Sequence, residues 1–329
     1  MRVVKSPFRI SIGGGGTDLP VYCNEKGGDL IFATIDKYVY VILTEGLEDK
    51  NSISLEKTSE DFIQLQESSN EYLKTITDYL GANKQHLTIL SASDVPSGTG
   101  LGSSGSFAVS LLKAFEKYSE QNFDNKELAE TAFKIENKEL GKECGKQDQY
   151  AAAYGGLNRL QISQDQQVQV SKLDIDEEDL DDLEANLMLF YTDEKRYSDD
   201  VLEDQKKEME EKDMKVQKMD KIKSIGHQIR EELDNGNVDK FGELLDEHWT
   251  TKKKFSDKIT NPKINKMYNI AMSNGALGGK IVGAGGGGFL MLYVPQENQV
   301  KLKKELEEYG AEHMSFEFSN QGCEVVYED

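Results

Sequence analysis

The sequence predicts an α+β protein built as two domains. Three observations carry this. Alternating runs rich in β-branched and aromatic residues recur along the chain, as in Val3 to Ile12 and Ile35 to Leu43. Amphipathic segments of helical period stand between such runs. The 329 residues also exceed the ~100–200 of one ordinary domain.

The elements follow in order. The first strand, Val3 to Ile12, runs into Gly13, Gly14, Gly15 and Gly16. Ile35 to Leu43 is a second strand and His86 to Ser93 a third. Phe107, Ala108, Leu111, Leu112 and Phe115 recur at helical spacing, so Ser104 to Tyr118 is a helix. Asn125 to Lys138 is another, with Asn125 as its N-cap. A dense acidic run, Asp174 to Asp182, precedes a short apolar strand, Asn186 to Tyr191. The composition shift there divides the chain into 1–184 and 185–329. Ser198 to Leu233 is rich in Lys and Glu at i, i+4 spacing and reads as exposed helix. Pro262 to Asn274 is a helix with Pro in its first turn. Gly275 to Gly288 leads into the strand Phe289 to Val294, then a helix from Glu297 to Tyr309 and closing strands.

The charge narrows the function classes. A formal net charge of −21 repels nucleic acid and acidic membranes from most of the surface. A nucleotide remains admissible, because backbone N–H groups and a divalent cation oppose the global field locally. Cys23, Cys144 and Cys323 are odd in number and far apart, which argues against a disulfide framework or a structural zinc. No signal peptide and no run of ~18 apolar residues is read, so the expected location is the cytoplasm. The four histidines show no metal spacing.

The glycine clusters carry the chemistry. Gly98, Gly100 and Gly102 lie in the segment Pro96 to Ser104, between a strand and a helix. Glycines let backbone N–H groups approach a ligand, and the helix adds its free N–H groups and positive dipole end. Phosphate oxygens satisfy both, and Ser103 and Ser104 can cap the helix or ligate a Mg²⁺ held by phosphates. A Walker loop is excluded because no Lys follows Gly102. A dinucleotide fingerprint from Gly13 onward fails because Asp18 stands at its last glycine position.

Pro96 through Ser104 resembles the central ATP-binding motif of the GHMP kinases, the superfamily of galactokinase, homoserine kinase and mevalonate kinase. Ser6 to Ile10 with Gly15 to Asp18 resembles the family's N-terminal motif, and Lys280 to Phe289 its C-terminal one. The three motifs occur in order across nearly the whole chain. Gly13 to Asp18, Gly145 to Ala152, Asn261-Pro262 and Gly279 to Phe289 are most similar to the members acting on heptose phosphate. Two places depart: Gly105-Ser106 stands where Ser or Ala is common, and Asp193 where Gly is usual.

The resemblance implies a left-handed βαβ unit in the mixed sheet of the first domain, a ferredoxin-like second domain, and ATP in the cleft between them. It implies transfer of a phosphoryl group from MgATP to a sugar hydroxyl, the anomeric one of a heptose 7-phosphate first. Other sugar 1-kinases, and a nucleotide- or sugar-binding regulator without turnover, are the alternatives. A homodimer is allowed.

Roles follow residue by residue. Pro96, Gly98, Gly100, Leu101, Gly102, Ser103, Ser104 and Gly105 would bind ATP, and Ser104 with Glu136 would hold Mg²⁺. From the residues alone, Asp148 reads equally as a base or as a first-turn helix stabiliser; the resemblance makes it the base. Arg9, one of five arginines, would hold Asp148 ionised. Gly15, Gly16, Thr17 and Asp18 would contact the sugar, with Lys146 and Gly283, Ala284 and Gly285 beside it. Arg196 and Lys280 would grip a phosphate on the acceptor.

Overall fold

The computed structural model describes residues 1–46, 51–56, 58–194 and 214–329. The first sheet has eight strands: β1 (Arg2–Gly13), β2 (Gly28–Glu45), β3 (Asn51–Leu55), β4 (Thr58–Ile63), β5 (Leu87–Ser93), β6 (Leu157–Ile162), β7 (Val168–Lys172) and β12 (Glu324–Glu328). Its order is β12-β1-β2-β5-β3-β4, and it forks at β2. The first part of that 18-residue strand pairs with β6, which pairs with β7, while its last part pairs with β5. Among the described residues only β3 and β5 run parallel; β4 and α2 (Glu71–Leu80) lie between them in the chain.

Most of β1 and the first part of β2 are buried on both faces, and strand alternation sorts their side chains. Leu30 and Phe32 of β2 join the core beneath helices α3 (Ser103–Phe115), α4 (Asn125–Lys134) and α5 (Gln147–Tyr154). Ile31, Ala33 and Ile35 point the other way, into a core shared with Leu189, Phe241 and Val282 of the second half. The two halves therefore pack through apolar contact, with the second half covering what would otherwise be an exposed sheet face.

The second sheet is antiparallel, of β8 (Leu187–Tyr191), β9 (Gly278–Ile281), β10 (Phe289–Tyr293) and β11 (Glu312–Met314), in the order β11-β8-β10-β9. Helices α7 (Met214–Asp234), α8 (Val238–Lys252) and α9 (Pro262–Ser273) precede β9, and α10 (Gln296–Glu308) precedes β11. Numbered within the sheet this is 4-1-3-2, the order of a ferredoxin-like βαββαβ unit.

Several sequence expectations are corrected. Residues before 87 hold more strands than the sequence marks, because the β3–β4 hairpin is short and mostly polar. The N-cap of α4 is Asp124, whose carboxylate accepts from Glu127 N–H at 2.8 Å; Asn125 is its first helical residue. This helix ends in a π turn, Ile135–Glu139, instead of running on to Lys138 as regular α-helix. The acidic run after Asp174 forms α6 (Glu177–Ala185), tolerated because three carboxylates lie in its first turn, at the positive end of the dipole. The expected division at 184/185 meets the end of that helix, but the last strand, β12, crosses back to pair with β1. Of the segment expected as exposed helix, residues 214–233 lie in α7 and the rest, with Arg196, lies outside the described residues.

Candidate active site

The three glycine-bearing segments converge on one cavity of about 440 Å³. The first comes off β1, the second lies between β5 and α3, and the third joins β9 to β10. The second and third are stitched together. Phe289 N–H donates to the Thr99 carbonyl at 3.2 Å, and a Cβ on Gly100 would come 2.3 Å from the Val282 carbonyl oxygen. Gly283 returns the relationship, since its Cβ would lie 2.7 Å from the Gly100 oxygen. Side chains are excluded there so that two backbones can touch.

At the centre, Arg9 of β1 meets Asp148 in the first turn of α5. Arg9 Nε and Nη2 donate to Asp148 Oδ1 at 2.9 and 2.7 Å, and Nη1 donates to the Gly100 carbonyl at 2.6 Å. The guanidinium is 5 % exposed, so three bonds in a drained setting fix its orientation. The backbone assists, because Arg9 N–H donates to the Leu101 carbonyl at 3.0 Å. Gly105 lets α3 approach α5: a Cβ there would stand 2.7 Å from Asp148 Cβ.

Asp18 lines the cavity beside this pair and is 5 % exposed. Its Oδ2 accepts from Gln147 N–H at 2.9 Å, so it caps α5 from a distance. Burial pushes its carboxyl up from the ordinary range, and the Gln147 N–H pulls partly against that. Gly145 makes the approach possible, since a Cβ there would fall 1.9 Å from Asp18 Oδ2.

Glu136 sits in the π turn, 1 % exposed, and lines the same cavity. Tyr72 donates to its Oε1 at 2.7 Å and Gln149 Nε2 to its Oε2 at 2.5 Å. Burial raises its carboxyl, while hydrogen bonds from Tyr72, Gln149 and Ser104 act against this. Ser104 belongs to the first turn of α3, whose N-cap is Gly102 in the left-handed region; no side chain caps that end. Its free N–H groups therefore face a ligand site, contrary to the capping role open to Ser103 and Ser104.

The remaining expected residues divide. Gly15, Gly16, Ala284 and Gly285 line the cavity, as do Gly98, Ser103 and Lys280. Thr17 instead locks the turn beneath: its hydroxyl donates to the Gly14 carbonyl at 2.8 Å and accepts from Asp29 N–H at 3.0 Å. Lys146 turns away, since its buried ammonium takes Glu130 of α4 as counter-ion at 2.7 Å. Leu101 is buried in the core, and the Pro96 carbonyl accepts from Thr99 Oγ1 at 3.0 Å.

Sequence reasoning missed His248 and Lys252, one turn apart on α8, which line the cavity with Lys280. The i, i+4 spacing was available, but Lys252 opens a Lys-Lys-Lys run that reads as solvated surface. Burial lowers Lys252 to about 8, with Arg9 adding to the effect and Asp18 opposing it. Burial, then Lys252 and Arg9, hold Lys280 well below its ordinary value.

Residues 70–156 match the family model of the GHMP kinases N-terminal domain, and residues 229–312 that of the C-terminal domain. A D-glycero-alpha-D-manno-heptose 7-phosphate kinase of Campylobacter jejuni is 30 % identical over 97 % of this chain and 96 % of its own. A galactokinase of Pyrococcus furiosus is 25 % identical over 89 % of each. Among solved structures, one described as a D-glycero-D-manno-heptose 1-phosphate kinase from Bacteroides thetaiotaomicron superposes with a TM-score of 0.83 at 26 % identity, covering all of both chains. The motifs, the shared cavity and likeness over the full length lead to one conclusion: the chain belongs to the GHMP kinase family, as a sugar kinase that draws its phosphoryl group from ATP.

Proposed function

We propose that the chain transfers the γ-phosphoryl of MgATP to the anomeric hydroxyl of a heptose already bearing a phosphate, D-glycero-D-manno-heptose 7-phosphate first. The observation that carries this is the Arg9–Asp148 pair, next to a phosphate-binding helix end and a buried Asp18. The names of the Campylobacter and Bacteroides relatives, both with a heptose phosphate, support the acceptor.

In this reading the Gly98–Gly102 loop and the N–H groups at the start of α3 hold the phosphates of ATP. Val39, Leu55 and Phe107 wall the cavity for the adenine end. Asp18 accepts acceptor hydroxyls through the oxygen not used on Gln147. Asp148, oriented by Arg9, takes the proton of the attacking hydroxyl as its oxygen reaches phosphorus. Arg9 then faces the charge that develops on the transferring group. A Glu136 carboxylate within reach of the Ser104 hydroxyl fits a Mg²⁺ site, because hard oxygens leave the other positions to ATP and water. Mg²⁺ bound there would neutralise phosphate charge.

The test is ADP release from MgATP over a panel of sugars and sugar phosphates, with Asp148→Asn beside wild type. Turnover of the heptose phosphate, cut ~10²–10⁴-fold in Asp148→Asn while ATP still binds, is the expected result. Tight ATP binding with no sugar turned over would defeat the proposal.

A further inference from the structure

Three nitrogen-bearing side chains of the cavity, with His248 and Lys280 buried and Lys252 half-buried, are not used in the phosphoryl transfer described above. His248 is 1 % exposed, and neither ring nitrogen has a hydrogen-bond partner. Lys280 is 2 % exposed, and its Nζ donates to the Ile12 carbonyl at 3.1 Å. Lys252 donates to the Gly283 carbonyl at 2.5 Å. Among the described residues, no carboxylate forms a salt bridge with any of the three. The contrast with Lys146 is instructive, for that buried ammonium has Glu130 at 2.7 Å.

Burying an ammonium group without a counter-ion is costly, and burying two near each other costs more. A fold keeps such an arrangement where a ligand supplies the missing negative charge. The cluster belongs to the acceptor end of the cavity. Lys252 and Lys280 line the cavity with Asp18, and Lys252 donates to the Gly283 carbonyl, whereas the ATP phosphates have the Gly98–Gly102 loop and α3. The donors come from two elements, α8 and β9, as a tetrahedral group with several oxygens requires. A carboxylate, with one charge and two oxygens, would leave one lysine uncompensated. Burial and the two neighbouring ammonium groups also keep the His248 ring neutral, so it offers a single N–H and adds no charge.

We propose that His248, Lys252 and Lys280 form a receptor for a phosphate monoester carried by the acceptor sugar, separate from the phosphoryl group that is transferred. The inference rests on the sugar-kinase reading and deepens it. It makes the phosphate already on the acceptor a requirement for recognition and names the side chains that read it.

The experiment compares a heptose or hexose phosphate with the same sugar lacking the phosphate, and with a uronic acid, in wild type and Lys252→Met. Wild type is expected to favour the phosphorylated sugar by on the order of 100-fold in kcat/KM. Lys252→Met is expected to lose most of that preference, the loss appearing as a rise in the KM of the phosphorylated sugar that exceeds any change on the unphosphorylated one. This ratio does not depend on how much of the variant folds. An equal loss on both sugars, a preference for the uronic acid, or a rise confined to the KM of ATP would each overturn the proposal. A second readout needs no turnover: inorganic phosphate, added with ADP present, should shift the His248 ring nitrogens in NMR spectra of wild type and not of Lys252→Met. If no sugar is phosphorylated yet this shift occurs, the receptor stands and the acceptor assignment fails. If sugars turn over without discrimination and no shift occurs, the receptor fails and the kinase stands.

Discussion

Arg9 places two donors on a single oxygen of Asp148, at 2.9 and 2.7 Å, and spends its third nitrogen on the Gly100 carbonyl. One side chain thus joins β1, α5 and the phosphate loop. The second carboxylate oxygen, Oδ2, makes no hydrogen bond among the described residues and, in the proposed reaction, would be the one to take the substrate proton.

That geometry demands a planar fork. Arg9→Lys keeps the charge but cannot reach Asp148 and Gly100 together. We expect kcat to fall by on the order of 100-fold, with ATP affinity within about 5-fold of wild type. Rescue by Lys to near wild-type kcat would show that charge alone suffices.

Two glycines hold carboxylates in place by absence of a side chain. Gly105→Ala puts a methyl 2.7 Å from Asp148 Cβ, so kcat should drop at least ~10-fold while the KM for ATP changes little. Gly145→Ala meets Asp18 Oδ2 at 1.9 Å and should raise the acceptor KM and lower stability by roughly 1–3 kcal/mol. Gly141→Ala is the control: it has φ of 65° but nothing within 4 Å, so it should cost only about 1 kcal/mol and leave kinetics alone. Steady-state kinetics with thermal melts separates the three.

Lys252 gives a pH signature in stability. Its folded value of about 8 lies below the ordinary 10.5, so between these the unfolded chain holds more protons and stability rises with pH. Below pH 8 the full cost of the buried charge is present. Lys252→Met should therefore stabilise the ligand-free protein at pH 7, by about 1–3 kcal/mol after allowing for partial exposure. The gain should shrink by pH 9.5. Equal gains at both pH values would assign the effect to packing.

Much of this site was legible from residue order. Arg9 was readable as one of five arginines, beside a glycine run, whereas Asp148 was singled out by the resemblance, because a carboxylate opening a helix is also an ordinary stabiliser of its first turn. Their pairing across 139 residues was expected from the resemblance alone; the third bond, from Arg9 to the Gly100 carbonyl, was not, since it depends on how the second glycine segment folds against β1. Lys146 misled for the same reason: two residues from Asp148 in sequence, it faces the opposite side of the helix start, toward Glu130. His248 and Lys252 were hidden by composition, because a lysine-rich helix end looks solvated until another domain covers it. The β3–β4 hairpin escaped because polar, short strands carry little periodic signal.

The contact between the second and third glycine segments has an evolutionary corollary. The Gly100 backbone occupies the space a side chain on Gly283 would need, and the neighbouring Val282 carbonyl the space a side chain on Gly100 would need, although 183 positions separate the two glycines. A substitution at one would have to be accommodated by a backbone shift in the other segment, so each segment constrains what the other can carry. A chimera joining the front half of one relative to the back half of another would succeed or fail at this seam, before any question of substrate arose.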